Sequence, residues 1–160
     1  MNIGGVLTRT IDAAGWLTAL RTYLGFILAA NLVWEVVQLP LYTIWRNGTL
    51  GEIAFAVVHC TGGDLLIATA ALTGSLVLLG RPDWPAERHH AVAGMAIASG
   101  IAYTIFSEWL NTKVRGSWAY TELMPVLPLF DVGLSPVAQW IVIPIAGFWL
   151  ARRHGTTARP

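Results

Sequence analysis

Charge is scarce in this chain of 160 residues: 12% are Asp, Glu, Lys or Arg, about half of the roughly 25% carried by a soluble domain. So few charges could not cover the surface of a soluble domain of this size. They also exclude a disordered chain, a coiled coil and a highly charged nucleic-acid binder. Cysteine is scarcer still. Cys60 stands alone, which excludes an internal disulfide and any CxxC redox or zinc-ribbon motif. There is no internal repeat, no low-complexity stretch and no spacing such as HExxH. What fills the chain is apolar: 55% hydrophobic residues, a mean hydropathy of +0.58 and eight tryptophans. Tryptophan favours membrane interfaces and apolar pockets with one polar edge. Solvation by lipid is the expectation.

A spanning helix needs about 20 mostly apolar residues. Four stretches meet that length, at about 23–45, 53–79, 91–111 and 134–151. Arg46-Asn47-Gly48 and Gly51 separate the first two. Gly80-Arg81-Pro82-Asp83-Trp84-Pro85 and the following Glu87, Arg88, His89 and His90 separate the second from the third. The third connection, 112–133, holds Lys113, Arg115, Glu122, Asp131 and two prolines yet stays fairly apolar. It should lie against the membrane or fold back between helices. The expected fold is all-α: one domain over 1–160, a polytopic integral membrane bundle of four transmembrane helices, with room for an extra short helix in the third loop. The apolar run after Arg21 is too long for a signal-peptide core and has no A-x-A-like site, so residues 1–22 read as an amphipathic lead-in at the interface. Trp16, Tyr23, Trp45, Trp84 and Trp149 read as interface anchors. Pro40 and Pro144 read as kinks, and Gly62-Gly63 as close packing or a local break.

Basic residues set the orientation. Arg9, Arg21, Arg81, Arg88, Arg152, Arg153 and Arg159 fall on one side, against Arg46, Lys113 and Arg115 on the other. The inside bias of such residues puts both termini in the cytoplasm of a bacterial-type inner (plasma) membrane, with the first and third loops outside.

Ionisable groups within spans cost about 2.5–3.5 kcal/mol each on insertion scales, so each is a functional candidate. Glu35 is deep in the first span and Asp64 in the second, while Glu108 is near the outer end of the third. Asn31, Glu35, Gln38 and Tyr42 share one helical face by spacing. So do Cys60 and Asp64, and again Thr104, Glu108 and Asn111. His59 neighbours the second of these faces. Polar stripes facing lipid would be untenable, so all three should converge inside the bundle, in a cavity opening toward the outer leaflet. The inner halves are nearly pure Leu, Ile, Ala and Val and should close it from the cytoplasm. Carboxyl groups brought together there share protons, and acid/base catalysis needs one neutral to donate and one charged to accept.

The candidate catalytic residues are therefore Glu35, Asp64, Glu108 and His59, with Lys113 or Arg115 as a neutralising partner for Glu108. The candidate substrate-binding residues are Asn31, Trp34, Gln38, Trp109, Asn111, Arg115, Trp118, Tyr120, Gln139 and Trp140. Aromatic rings beside acidic groups could shelter a lipophilic substrate or a cationic transition state. No metal set is assigned and the cofactor is unknown, although among His59, Cys60, Asp64, Glu35 and Glu108 imidazole, thiolate and carboxylate would suit zinc, imidazole with carboxylates would suit iron or manganese, and His59 is the one span histidine that could serve a haem. The tryptophan content invites comparison with tryptophan-rich sensory proteins, which have five spans. The span count invites comparison with small multidrug transporters, which lack the long third loop. The run Trp118-x-Tyr120, Met124-Pro125, Gly133, Pro136 and Gln139-Trp140 is loosely similar to membrane carotenoid-modifying enzymes. None of the three carries a role onto these residues.

The expected function is binding or acid/base conversion of a membrane lipid or lipophilic small molecule, of isomerase, cyclase or hydratase type. The alternatives are a proton- or cation-coupled transporter acting as a homo-oligomer, and a non-catalytic subunit of a larger membrane complex. No nucleic acid is expected as a partner.

Overall fold

Helix α1 (Ala13–Gln38) stops where proline makes it stop. Pro40 has no N–H to extend the ladder and disfavours helical geometry at the residue before it. The chain passes through a 3-10 turn at Leu39–Leu41 and a one-turn helix α2 (Ile44–Asn47). Thr49 then starts α3 (Leu50–Leu79) with a capping box: Glu52 N–H donates to the Thr49 hydroxyl at 3.3 Å, and Thr49 N–H to the Glu52 carboxylate at 2.8 Å, satisfying two otherwise orphaned donors. Helix α4 (His89–Trp109) runs on into a π-helical turn at Leu110–Val114. Two-residue strands β1 (Val126–Leu127) and β2 (Val132–Gly133) pair antiparallel, Val126 opposite Gly133, before α5 (Leu134–Thr157).

This is a computed structural model, and it describes residues 13–157. Within them Gly15–Leu41, Leu50–Leu79, His89–Val114 and Leu134–Gly155 are long and apolar enough to cross a membrane. The fold is the expected all-α, multi-pass bundle. The helices form a ring in which α1 touches α3 and α5, and α4 touches the same two.

Several expectations shift. The first span begins well before residue 23 and ends at Leu41, not near Trp45; its α-helix stops at Gln38 because of Pro40. The part of the lead-in that is described belongs to α1, with Ala19 in the core; residues 1–12, with Arg9, lie outside the described residues, as does Arg159. Tyr23 and Trp84 are not interface anchors: they are 1% and 2% exposed. The second loop folds over the bundle end, setting the Trp84 ring 5.4 Å from that of Trp16. Trp45 and Trp149 do stay exposed, and Arg153 lies 3.8 Å over the Trp149 ring. Gly62 and Gly63 neither break α3 nor sit at a helix contact, since a Cβ on either would meet nothing within 4 Å. The close approach is at Gly100, where a Cβ would lie 2.1 Å from the Trp140 ring.

The third loop forms the small hairpin instead of an extra helix. Pro125 and Pro128 withhold the N–H groups that a helix there would need. The loop folds back on the chain: Thr43 N–H donates to Ala119 C=O and Thr121 N–H to Leu41 C=O, both at 2.9 Å, around an antiparallel bridge between Tyr42 and Tyr120. Toward the second-loop end the bundle is filled by an apolar core that includes Tyr23, Ile27, Leu72, Val92, Ala96 and Phe148.

Candidate functional site

At the first- and third-loop end the bundle holds a cavity of about 980 Å³. Its walls come from the end of α1, one face of α3, the last turns of α4, the Arg115–Trp118 segment and the start of α5. Glu35, Gln38, His59, Asp64, Glu108, Asn111, Arg115, Trp118, Gln139 and Trp140 all line it, as does Cys60. The polar stripes of three helices therefore converge as their spacing implies.

Gln139, 2% exposed, is the centre of the deeper part. Its amide nitrogen stands 2.7 Å from Asn31 Oδ1, 2.9 Å from Asp64 Oδ2 and 3.1 Å from Glu35 Oε1. An amide has two protons for these three acceptors, so the carboxyls must be served from elsewhere too. Gln38 donates to Glu35 Oε1 at 2.9 Å, and the Trp140 indole to Asp64 Oδ1 at 3.3 Å. The Glu35 and Asp64 carboxyls thus meet at one amide nitrogen, one from α1 and one from α3. Behind this pair, Ser135 Oγ donates to Gln38 Oε1 at 2.8 Å and accepts from the Trp34 indole at 3.2 Å. Donors from α1 and α5 thus all run toward the pair.

Trp140 reaches Asp64 because Gly100 leaves it room beside α4. Asn31 is buried below the cavity, where its own amide donates to Ile27 C=O at 2.8 Å. Trp34 packs between α1 and α5 without lining the cavity. Both support the pair from behind.

Glu108 makes a second centre. It is neutralised by neither Lys113, which pairs with Asp131, nor Arg115, which makes no ion pair among the described residues. Its carboxylate accepts from the Tyr120 hydroxyl, and Tyr120 is fixed in turn by the Gly133 N–H at 2.9 Å. The Trp118 indole N–H is turned toward the same carboxylate without completing a hydrogen bond to it. Burial, then the Glu108 carboxylate, pushes the Tyr120 phenol above its ordinary range, so it stays a proton donor at neutral pH.

Tyr42 closes the gap between the two centres. It was on the first polar stripe but carried no role in the sequence reading. The loop bridge holds it in the cavity wall, within electrostatic reach of Glu35, Glu108, Tyr120 and Cys60, and its ring meets that of Tyr120 edge-on at 5.6 Å. Burial and then Glu108 raise this phenol well above its usual range. Ser135, Phe55, Tyr103 and Ser107 are further residues of the site or its support that spacing did not single out.

One expected residue falls elsewhere, and another sits only at the margin. Trp109 is 45% exposed on the outer face of α4, beside Phe106, Leu129 and Phe130, because it is one residue round the helix from Glu108. His59 lines the cavity at its exposed margin, stacked on Phe55 at 5.3 Å, and makes no side-chain hydrogen bond. Among the described residues no three His, Cys, Asp or Glu side chains cluster as metal ligands.

Fold and site together define a multi-pass membrane protein of four helices with paired carboxyls held by an amide inside the bundle. No protein-family model, no curated protein and no solved structure matches the chain at a level that would show kinship.

Proposed function

We propose that this protein binds a lipophilic small molecule in the cavity at its first- and third-loop end and converts it by acid/base chemistry, as an isomerase, cyclase or hydratase would. The observation that carries this reading is the Glu35–Asp64 pair, brought together on the Gln139 amide and supplied with further donors by Gln38 and Trp140, in a cavity large enough for a lipid portion. Two carboxyls that share a proton supply an acid and a base from one site. Glu108 with Tyr120 is a second proton-handling group on the opposite wall. The proposed setting is a bacterial-type inner (plasma) membrane with both termini in the cytoplasm, so that the cavity belongs to the outer leaflet. A transport pathway within one protomer would have to cross the apolar core between Tyr23, Leu72 and Phe148, which counts against the coupled-transporter reading. A homo-oligomer is compatible with this scheme but is not needed to complete the site.

The test uses protein purified in mild detergent. Small molecules that copurify are identified by mass spectrometry, then the preparation is held in deuterated water. Proton transfer to carbon puts solvent deuterium into the bound compound. Glu35→Gln and Asp64→Asn should each retain the compound and lower deuterium uptake at least about a hundredfold, as expected for loss of an acid or base. Uptake at the wild-type rate in both variants overturns the reading.

A further inference from the structure

The cavity wall reaches the side of the bundle as well as its loop end. Phe55 and Tyr103 line it and are nevertheless 69% and 49% exposed. His59, also lining and exposed, lies about 13 Å along the axis from Leu50, at 1.5 Å per residue. These positions are within spans, so the gap between α3 and α4 faces hydrocarbon. A molecule using it leaves its apolar tail in the bilayer and brings its polar end in.

The groups inside select the chemistry of that end. The carboxyls of Glu35, Asp64 and Glu108 make an anionic head unfavourable. Arg115, the one Lys or Arg on the walls among the described residues, is exposed at the loop margin. An ammonium head would have to compete for oxygens already taken by Gln38, Gln139, Trp140 and Tyr120. What the walls offer free is donors: the Trp118 indole N–H, buried without a partner, and the Tyr42 hydroxyl. The Tyr42 hydroxyl lines the cavity, has no side-chain partner among the described residues and stands between the two carboxyl centres. A buried donor without a partner favours an acceptor oxygen.

We propose that the cavity takes a membrane-dissolved lipid with an uncharged oxygen head, a hydroxyl or a carbonyl, which enters sideways between α3 and α4 and sets its oxygen against the Tyr42 hydroxyl. This rests on the reading of the cavity as a lipophilic binding site and names the class of molecule it takes.

Four photoreactive probes with the same long diazirine-bearing chain test it, ending in a ketone, an alcohol, an amine or a carboxylic acid. Each is added to the full chain in nanodiscs, and labelled peptides are mapped by mass spectrometry. The ketone or the alcohol should label the Phe55 and Tyr103 regions more strongly than the amine and the acid, and the stronger of the two names the head. Tyr42→Phe should weaken that labelling about tenfold, the cost of one hydrogen bond. Gly63→Leu fills open space on the cavity wall and should abolish it, with helix content unchanged. Preference for the amine or the acid, with Gly63→Leu still blocking, overturns the oxygen head and keeps the cavity as the site. Wild-type labelling in Tyr42→Phe overturns the role of Tyr42. Labelling indifferent to Gly63→Leu overturns the cavity reading itself.

Discussion

Gln139 shows how much one residue decides here. By sequence it is a lone polar residue early in an apolar span, with nothing in its spacing to connect it to Glu35 or Asp64. In the bundle its amide reaches acceptors on α1 and α3 at once, and the two carboxyls become a pair by sharing it. Glycines are read wrongly for a related reason. Gly62-Gly63 is conspicuous in sequence, but Gly100 is the position where absence of a side chain matters. Gly100→Ala must displace the Trp140 ring, which also breaks the bond to Asp64, and should destabilise by about 1–3 kcal/mol. Gly63→Ala meets no atom and should be neutral or stabilise by up to about 1 kcal/mol through helix propensity. Thermal unfolding of the two variants in the same detergent should separate them in opposite directions.

At the scale of elements, the connections shape the site more than the spans do. Pro40 ends α1 beside the cavity, and the third loop then pairs its backbone with the 41–43 segment. That pairing turns Tyr42 inward and brings Tyr120 to Glu108. Thr121 reinforces it, its hydroxyl donating to Pro40 C=O at 3.0 Å. Arg46 and Glu122 clasp the same two segments from outside with a two-pronged ion pair. The Arg46 hydrogen bond, then a bond from its own backbone and last the Arg46 charge, hold Glu122 below the ordinary glutamate range. A depressed carboxyl adds stability above the ordinary range and loses it as pH falls through the lower value. Both side chains are exposed, so the gain is small and screened by salt. In low salt the unfolding midpoint of the wild type should fall toward that of Glu122→Gln as pH drops below the ordinary glutamate range. High salt at neutral pH should close the same gap. Thr121→Val removes a bond that salt cannot screen, and its midpoint should stay low under both conditions.

At the scale of the whole molecule, the two ends of the bundle differ. One is filled by Tyr23, Trp84 and Phe148; the other is hollow and lined by carboxyls. The basic residues follow the same division. Arg21, Arg81, Arg88, Arg152 and Arg153 are at the filled end, and two of the three at the hollow end, Arg46 and Lys113, are paired with acids. The orientation proposed above predicts that a reporter fused after Pro160 reads cytoplasmic and one inserted at Gly48 reads external. The reverse pattern would move the cavity to the inner leaflet.

Hydropathy along the chain was enough to establish four spans and an all-α membrane bundle, because insertion into lipid is judged segment by segment. Helical spacing was enough to place Glu35, Asp64 and Glu108 on inward faces, because lipid tolerates no unpaired polar stripe. Which of these groups would meet was a matter of helix rotation, relative height and loop return, and those are set by contacts between residues distant in sequence. Tertiary structure alone joined Gln139 to both carboxyls, gave Glu108 to Tyr120 instead of Arg115 and brought Tyr42 into the cavity wall. Spacing along one helix carries no information about the height of its neighbour. The grouping of the site therefore came from Gly100 admitting Trp140, and from the third loop returning to pair with residues 41–43.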